Sequence, residues 1–149
     1  MELNSNYENE LNKLEEVLKS DKDIWSVVEA SDVNEAGLLL NYRAVPKGED
    51  NFAGYYYWQK LVKEVYLLLC TQDVKYEKER AQLNSKSDVS KIILTSVTTS
   101  LATTLGVAAT TLSPFVALLF FGIIKLTKNA WCALKSDELE KALSNVKAK

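Results

Sequence analysis

Apolar residues recur along this chain at steps of three and four, and alternation by two is hard to find, so the pattern predicts helices throughout. Only 5 Gly and 2 Pro interrupt it. The first helix is expected from about Leu3 to Lys19, with Tyr7, Leu11, Leu14 and Leu18 on one face and a Glu15 to Lys19 pair on the other. Ser20 or Asp21 is placed to cap a short second helix carrying Ile24, Trp25 and Val28. Ser31 or Asp32 would cap a third, running through Leu38, Leu39, Leu40 and Tyr42 and stopping before Pro46. After the loop VPKGEDN, a long helix is expected, with Tyr55, Trp58, Val62, Val65 and Leu69 in one stripe widened by Tyr56, Leu61, Tyr66 and Leu68. So broad a face needs more than one neighbour.

The next stretch, TQDVKYEKERAQLNSKSD, is dense in charge. It is expected as a new helix capped by Thr71 or Asp73, fraying over 84–87 and linking an amphipathic helical part (1–86) to an apolar part (87–149) that Ser87 or Asp88 would cap. SDELEKALSNVKAK closes the chain as a short amphipathic helix with Leu139, Leu143 and Val146 in line. The predicted class is all-α, with amphipathic helices packed around, or tethered to, a C-terminal hydrophobic helical hairpin.

No residue between Lys91 and Lys125 is charged, in a chain that is 26% charged. This run exceeds the roughly 20 residues of one membrane span. Its first half is rich in Thr and Ser, whereas Phe115 to Ile124 is apolar all round, and Ser113-Pro114 between them is expected either to turn the chain or to kink it. Leu94, Val97, Leu101, Leu105, Ala108 and Leu112 form an aliphatic stripe, and Thr95, Thr99, Ala102, Gly106, Ala109 and Ser113 form a seam of small residues. Such a seam packs helices closely, inside a membrane or inside a soluble domain. Together with Pro114, Phe115, Leu119, Phe120 and Gly122 it is the candidate membrane or helix-packing surface. Lys125, Lys128 and Lys135 beside Trp131 fit an interfacial anchor, and fit the wet end of a core helix equally well.

Net charge is −2 overall, but the N-terminal part is acidic and the part after Ser90 is basic. The basic half suits an anionic membrane surface, and neither half has the dense Lys/Arg patch of a nucleic-acid binder, so no nucleic acid is expected. Cys70 and Cys132 lie in apolar helical contexts and read as two buried, reduced thiols, with no disulfide framework expected. The polar start MELNSNYENELNK predicts no signal peptide and synthesis in the cytoplasm.

The chain contains no His, which removes the usual general base and metal ligand. Its 2 Cys do not make a zinc site, its scattered glycines make no phosphate loop, and acidic pairs such as Glu15-Glu16 lie where solvation explains them. No enzyme, metal or cofactor is expected. The aromatic run YYYW sits at helical spacing among Leu and Val and reads as core rather than as a base-stacking platform.

Two segments, VYLLLCTQDVKYEKER and GVAATTLSPFVALLFFGIIKLTKNAWCAL, are similar to small bacterial helical proteins that accompany anti-phage and other conflict systems. The resemblance covers roughly the C-terminal half and carries no assigned functional residues. It implies a bacterial intracellular protein that works with a protein partner. In architecture alone the chain also resembles pore-forming colicin domains, in which amphipathic helices sheathe an apolar pair. The expectation is a non-enzymatic protein whose segment 92–124 inserts into or perturbs the inner membrane, self-associating through its small-residue seam. The alternative is a cytoplasmic interaction subunit, adaptor or regulator, in which the same segment is the buried core.

Overall fold

A computed structural model describes residues 7–30, 33–44, 56–84, 88–126 and 128–136. Helices α1 (Tyr7–Lys19), α2 (Lys22–Ala30), α3 (Val33–Ala44) and α4 (Tyr56–Cys70) follow one another. A 3-10 turn at Val74–Tyr76 leads into α5 (Glu77–Asn84). Helix α6 (Val89–Leu105) runs on through a π-turn at Ile93–Val97, and α7 (Ala109–Leu126) follows it. A last helix, α8, covers 128–136. The described residues are helical with no strand, so the all-α expectation holds. The expected loop at 45–51, the caps Ser31 and Asp32, the fraying at 85–87 and the closing helix beyond Ser136 lie outside the described residues.

Helix α7 is the axis of the bundle. Its Leu112, Phe115, Val116, Ala117, Leu119, Phe120, Ile123 and Ile124 are buried, and α1, α2, α3 and α6 all pack against it. Leu14 and Leu18 of α1, Ile24 of α2 and Leu40 of α3 are fully covered in the same core. The broad face of α4 is shared between α3 and α6, as its width demanded, and buries Leu61, Val65 and Leu68. One continuous core thus takes in residues from both sides of the charged segment 71–88.

Polar ties fasten the helix ends. Asp21 Oδ1 accepts from the Ile24 N–H at 3.2 Å, capping α2, and the same carboxylate receives the Arg43 guanidinium in a two-pronged pair at 2.6 and 3.0 Å. Arg43 stands at the end of α3, with its guanidinium 5.6 Å from the centre of the Phe115 ring of α7. The Arg43 hydrogen bonds hold the Asp21 carboxyl below its ordinary range against a smaller opposing effect of burial. At the start of α6, Asp88 caps through the Lys91 N–H and pairs with Lys13 at 2.8 Å, while Glu10 accepts from the Ser90 N–H at 2.6 Å.

Two expectations are corrected. The break between the two helices falls at Gly106, not at Ser113-Pro114, so of the turn and the kink expected there the turn is set aside. Gly106 takes the left-handed conformation (φ 72°), and its N–H and that of Val107 both donate to the Ala102 carbonyl, closing α6. Pro114 lies inside α7, and the Thr110 carbonyl that its missing N–H would have met belongs to an exposed residue, open to water. Both seams proposed for 92–113 are therefore divided between two helices that pack on each other. The second correction concerns the thiols: Cys70 and Cys132 are joined in a disulfide, Cα to Cα 5.6 Å, that ties α8 to the end of α4. Sequence separation of 62 between the two gave no local sign of this. Closing a loop of that size stabilises a fold by about 2–4 kcal/mol.

The glycines of the apolar pair should respond to alanine with opposite signs. Gly106→Ala forces a side chain into the left-handed region and is expected to lose about 1 kcal/mol, although its Cβ would meet nothing. Gly122→Ala, in mid-helix with open space around it, is expected to gain about 0.5–1 kcal/mol. Urea denaturation of the two variants beside the parent protein measures both.

Candidate functional site

The solvent side of the α6–α7 pair is unusual. An amphipathic helix normally turns charged side chains to water, yet the exposed positions between Lys91 and Lys125 are Thr95, Thr99, Thr103, Thr104, Gly106, Ala108, Thr110 and Gly122. Three of the threonine hydroxyls are spent on their own helix: Thr95 donates to the Lys91 carbonyl at 2.7 Å, Thr99 to Thr95 at 2.5 Å and Thr103 to Thr99 at 3.0 Å, while Thr104 is bonded to the Tyr76 phenol. What remains facing outward is a ladder of methyl groups and small side chains. Of the candidate packing residues, the structure exposes Thr95, Thr99, Gly106 and Gly122 and half-buries Ala109, Ser113 and Pro114. It places Ala102, Phe115, Leu119 and Phe120 in the core. The seam is thus an outer surface along α6, apart from the buried Ala102, and is half-buried along α7.

The second feature is a groove of about 400 Å³ bounded by α2, α3, α4, α7 and α8. Val28 of α2, Trp58 and Val62 of α4, and Leu118, Phe121 and Gly122 of α7 line it. Trp131 of α8 lies along it, 5% exposed, so this member of the expected interfacial anchor is a buried side chain in the bundle. Leu126 and Leu134, 47% and 49% exposed, stand at the same groove with Lys125 and Lys135. Lys125 lies over the Phe121 ring at 4.9 Å. Lys128 is half-buried and does not line the groove. The structure therefore brings Lys125, Lys135 and Trp131 together and leaves Lys128 apart. Leu134 and the α2 and α4 residues were not singled out from the sequence, because five separate helices contribute to the groove and no periodicity connects them.

The segment LCTQDVKY folds into a compact polar knot. Thr71 donates to the Leu67 carbonyl at 2.6 Å and accepts from the Asp73 N–H, and Asp73 caps the 3-10 turn through the Lys75 N–H at 2.9 Å. Lys75 and the Tyr76 hydroxyl both donate to Glu64 Oε1, at 2.7 and 2.6 Å. Burial of Glu64 opposes its ionisation, but these two hydrogen bonds outweigh it and leave the carboxyl below its ordinary range. Burial, reinforced by the hydrogen bond to Glu64, pushes the Tyr76 phenol up. Arg80 reaches back from α5 to the Leu68 and Leu67 carbonyls at 2.9 and 3.1 Å, closing the end of α4. Thr71, Asp73, Lys75, Tyr76, Glu64 and Arg80 each find a partner in the chain, which makes this knot a structural corner.

Among the described residues no three of His, Cys, Asp and Glu converge as metal ligands. No protein-family model, no curated protein and no solved structure matches this chain.

Glu64 should shape the acid limb of stability. Its folded value is depressed, so its contribution is present above the unfolded value of 4.5 and is lost as pH falls through the folded one. Glu64→Gln is expected to be less stable than the parent at pH 7 by about 1–3 kcal/mol, with the gap narrowing below about pH 4. Thermal or urea unfolding of both proteins between pH 7 and pH 3 reads this, and a gap that stays constant would disprove the assignment.

Proposed function

We propose that this chain is a non-enzymatic helical protein that keeps an apolar helix pair, 92–124, inside an amphipathic sheath and inserts it into a bacterial inner membrane, perturbing that membrane. One observation carries the reading: the pair has no charge even where it faces water, although a pair kept solely as a soluble core gains solubility from charges on that side. With the Thr95, Thr99 and Thr103 hydroxyls bonded to their own backbone, that face of α6 loses little on entering hydrocarbon. Helix α7 is, among the described residues, the one helix long and apolar enough to cross a membrane. Lys125, Lys128 and Lys135 then supply the basic flank that stays in the cytoplasm. The resemblance of the C-terminal half to proteins of bacterial conflict systems supports a defence setting in which a protein partner provides the trigger, and the exposed small-residue ladder supports self-association once inserted.

A second reading, a soluble adaptor or regulatory subunit, is favoured by α3, where Leu38 and Tyr42 project into water one turn apart, 47% and 83% exposed. In that case α3 docks the partner and the apolar pair never leaves the core.

Charge substitution on the exposed ladder separates the two readings without damaging the fold. Thr99→Lys combined with Thr103→Glu changes surface positions, at a cost to the soluble bundle within about 0.5 kcal/mol. Placing a charge at the centre of a span costs about 2.5–3.5 kcal/mol. The parent protein, and more so an Arg43→Ala variant with a loosened sheath, is expected to release dye from anionic phospholipid vesicles, and the doubly charged variant is expected not to. Release by the charged variant at the parent's rate, or no release by parent and Arg43→Ala alike, would refute insertion.

A further inference from the structure

We propose that the Cys70–Cys132 bond is a redox-operated latch: a dithiol reductant opens it in the folded protein, and α8 then leaves the groove and uncovers the side of α7 beneath it. The inference concerns the bundle in water and does not rest on membrane insertion.

The packing of α8 points to this role. Of residues 128–136 only Trp131 is buried, while Asn129, Ala130, Ala133 and Leu134 are exposed. A helix this short is marginal by itself, so its docking rests chiefly on Trp131 and on the bond at Cys132 beside it. The other end of the bond is anchored far better. Helix α4 buries Trp58, Leu61, Val65, Leu68 and Leu69, and Arg80 holds its last carbonyls. When the bond breaks, α8 is therefore the element that moves and α4 the one that stays.

What α8 covers is apolar. Trp131 shares the groove lining with Trp58, Val62, Leu118 and Phe121, and Leu126 at the same groove is already about half exposed. Withdrawal of Trp131 joins these side chains into one open apolar face. The bond is also reachable, since both cysteines are half-buried rather than enclosed in the core. Nor does folding require it as a staple. A chain of 149 residues is long enough to fold on its core alone, and the core here draws residues from every one of the helices α1 to α7.

Opening follows thiol–disulfide exchange. One thiolate of the reductant attacks one Sγ and expels the other cysteine as a thiolate. The second thiol of the reductant then displaces the first cysteine and closes a disulfide within the reductant. The protein gains two electrons and two protons, and the reductant loses the same.

The test uses the full-length, oxidised protein and dithiothreitol without denaturant. Thiol labelling read by mass spectrometry should show both cysteines freed while circular dichroism keeps its helical signal. Amides of α8 should then exchange at least about tenfold faster in the reduced protein than in the oxidised one, with α1, α4 and α7 still folded and slow. Tryptophan emission should move to the red as Trp58 and Trp131 meet water. Cys70→Ser with Cys132→Ser should show the fast α8 exchange with or without dithiothreitol. Thiols that react only after denaturant is added, α8 protection that is the same in both redox states, or α7 protection lost together with that of α8 would overturn the proposal. Because no vesicle is present, failure here is distinct from failure of membrane insertion.

Discussion

Every feature of this fold answers to one constraint, the burial of α7. From Phe115 to Ile124 the helix offers no polar side chain on any face. Such a cylinder is soluble only if neighbours enclose it, and the chain supplies α1, α2, α3 and α6 for that purpose. Burial of large side chains such as Phe115 and Phe120, each worth about 1.5–3 kcal/mol, is what offsets the entropy of ordering so many short helices. Each of these helices turns apolar residues toward α7, α3 and α6 sharing theirs with α4, and α7 has no aqueous state without the sheath. The enclosure is incomplete beside Gly122 and Leu126, and there the groove opens.

Directional interactions then select one arrangement from the many that would bury the same area. Asp21 caps α2, grips Arg43 at the end of α3 and brings its guanidinium over Phe115, so one carboxylate sets two helices relative to the third. Glu10 and Lys13 of α1 fasten the start of α6 through Ser90 and Asp88. The Glu64, Lys75 and Tyr76 knot and the Cys70–Cys132 bond secure the α4 corner and α8. Between Thr103 and Leu126, by contrast, the pair carries no ion pair, and it is held chiefly by non-directional packing. That division gives the bundle fixed ends and an axis tied to its sheath by a charged contact, the Arg43 guanidinium over Phe115.

Helices and their buried faces were legible in the sequence because each is a local, periodic property: Leu14 and Leu18 of α1, and Val65 and Leu69 of α4, are core residues as their spacing required. Caps at Asp21, Asp73 and Asp88 were legible for the same reason. The reversal at Gly106 was not, since proline at 114 is the louder sequence signal and left-handed glycine competes with it only through three-dimensional closure. The disulfide and the groove were hidden because both join residues distant in sequence, and nothing in local periodicity reports that Cys132 meets Cys70 or that Leu134 and Val28 line one groove. Absence of charge along 92–124 was visible at once, but only the structure showed that part of this run faces water, which is what gives it functional weight.

Native-state hydrogen exchange in the presence and absence of anionic phospholipid vesicles tests the central claim most directly, that a sheathed apolar pair can exchange its protein wrapping for lipid. In water, amides of α7 should exchange among the slowest, through global unfolding alone. With vesicles, α6 and α7 should stay protected while α1, α2 and α3 lose protection, because the pair has left them for a new apolar environment. Identical protection of all helices with and without vesicles would mean that the pair never leaves its sheath, and would contradict the account.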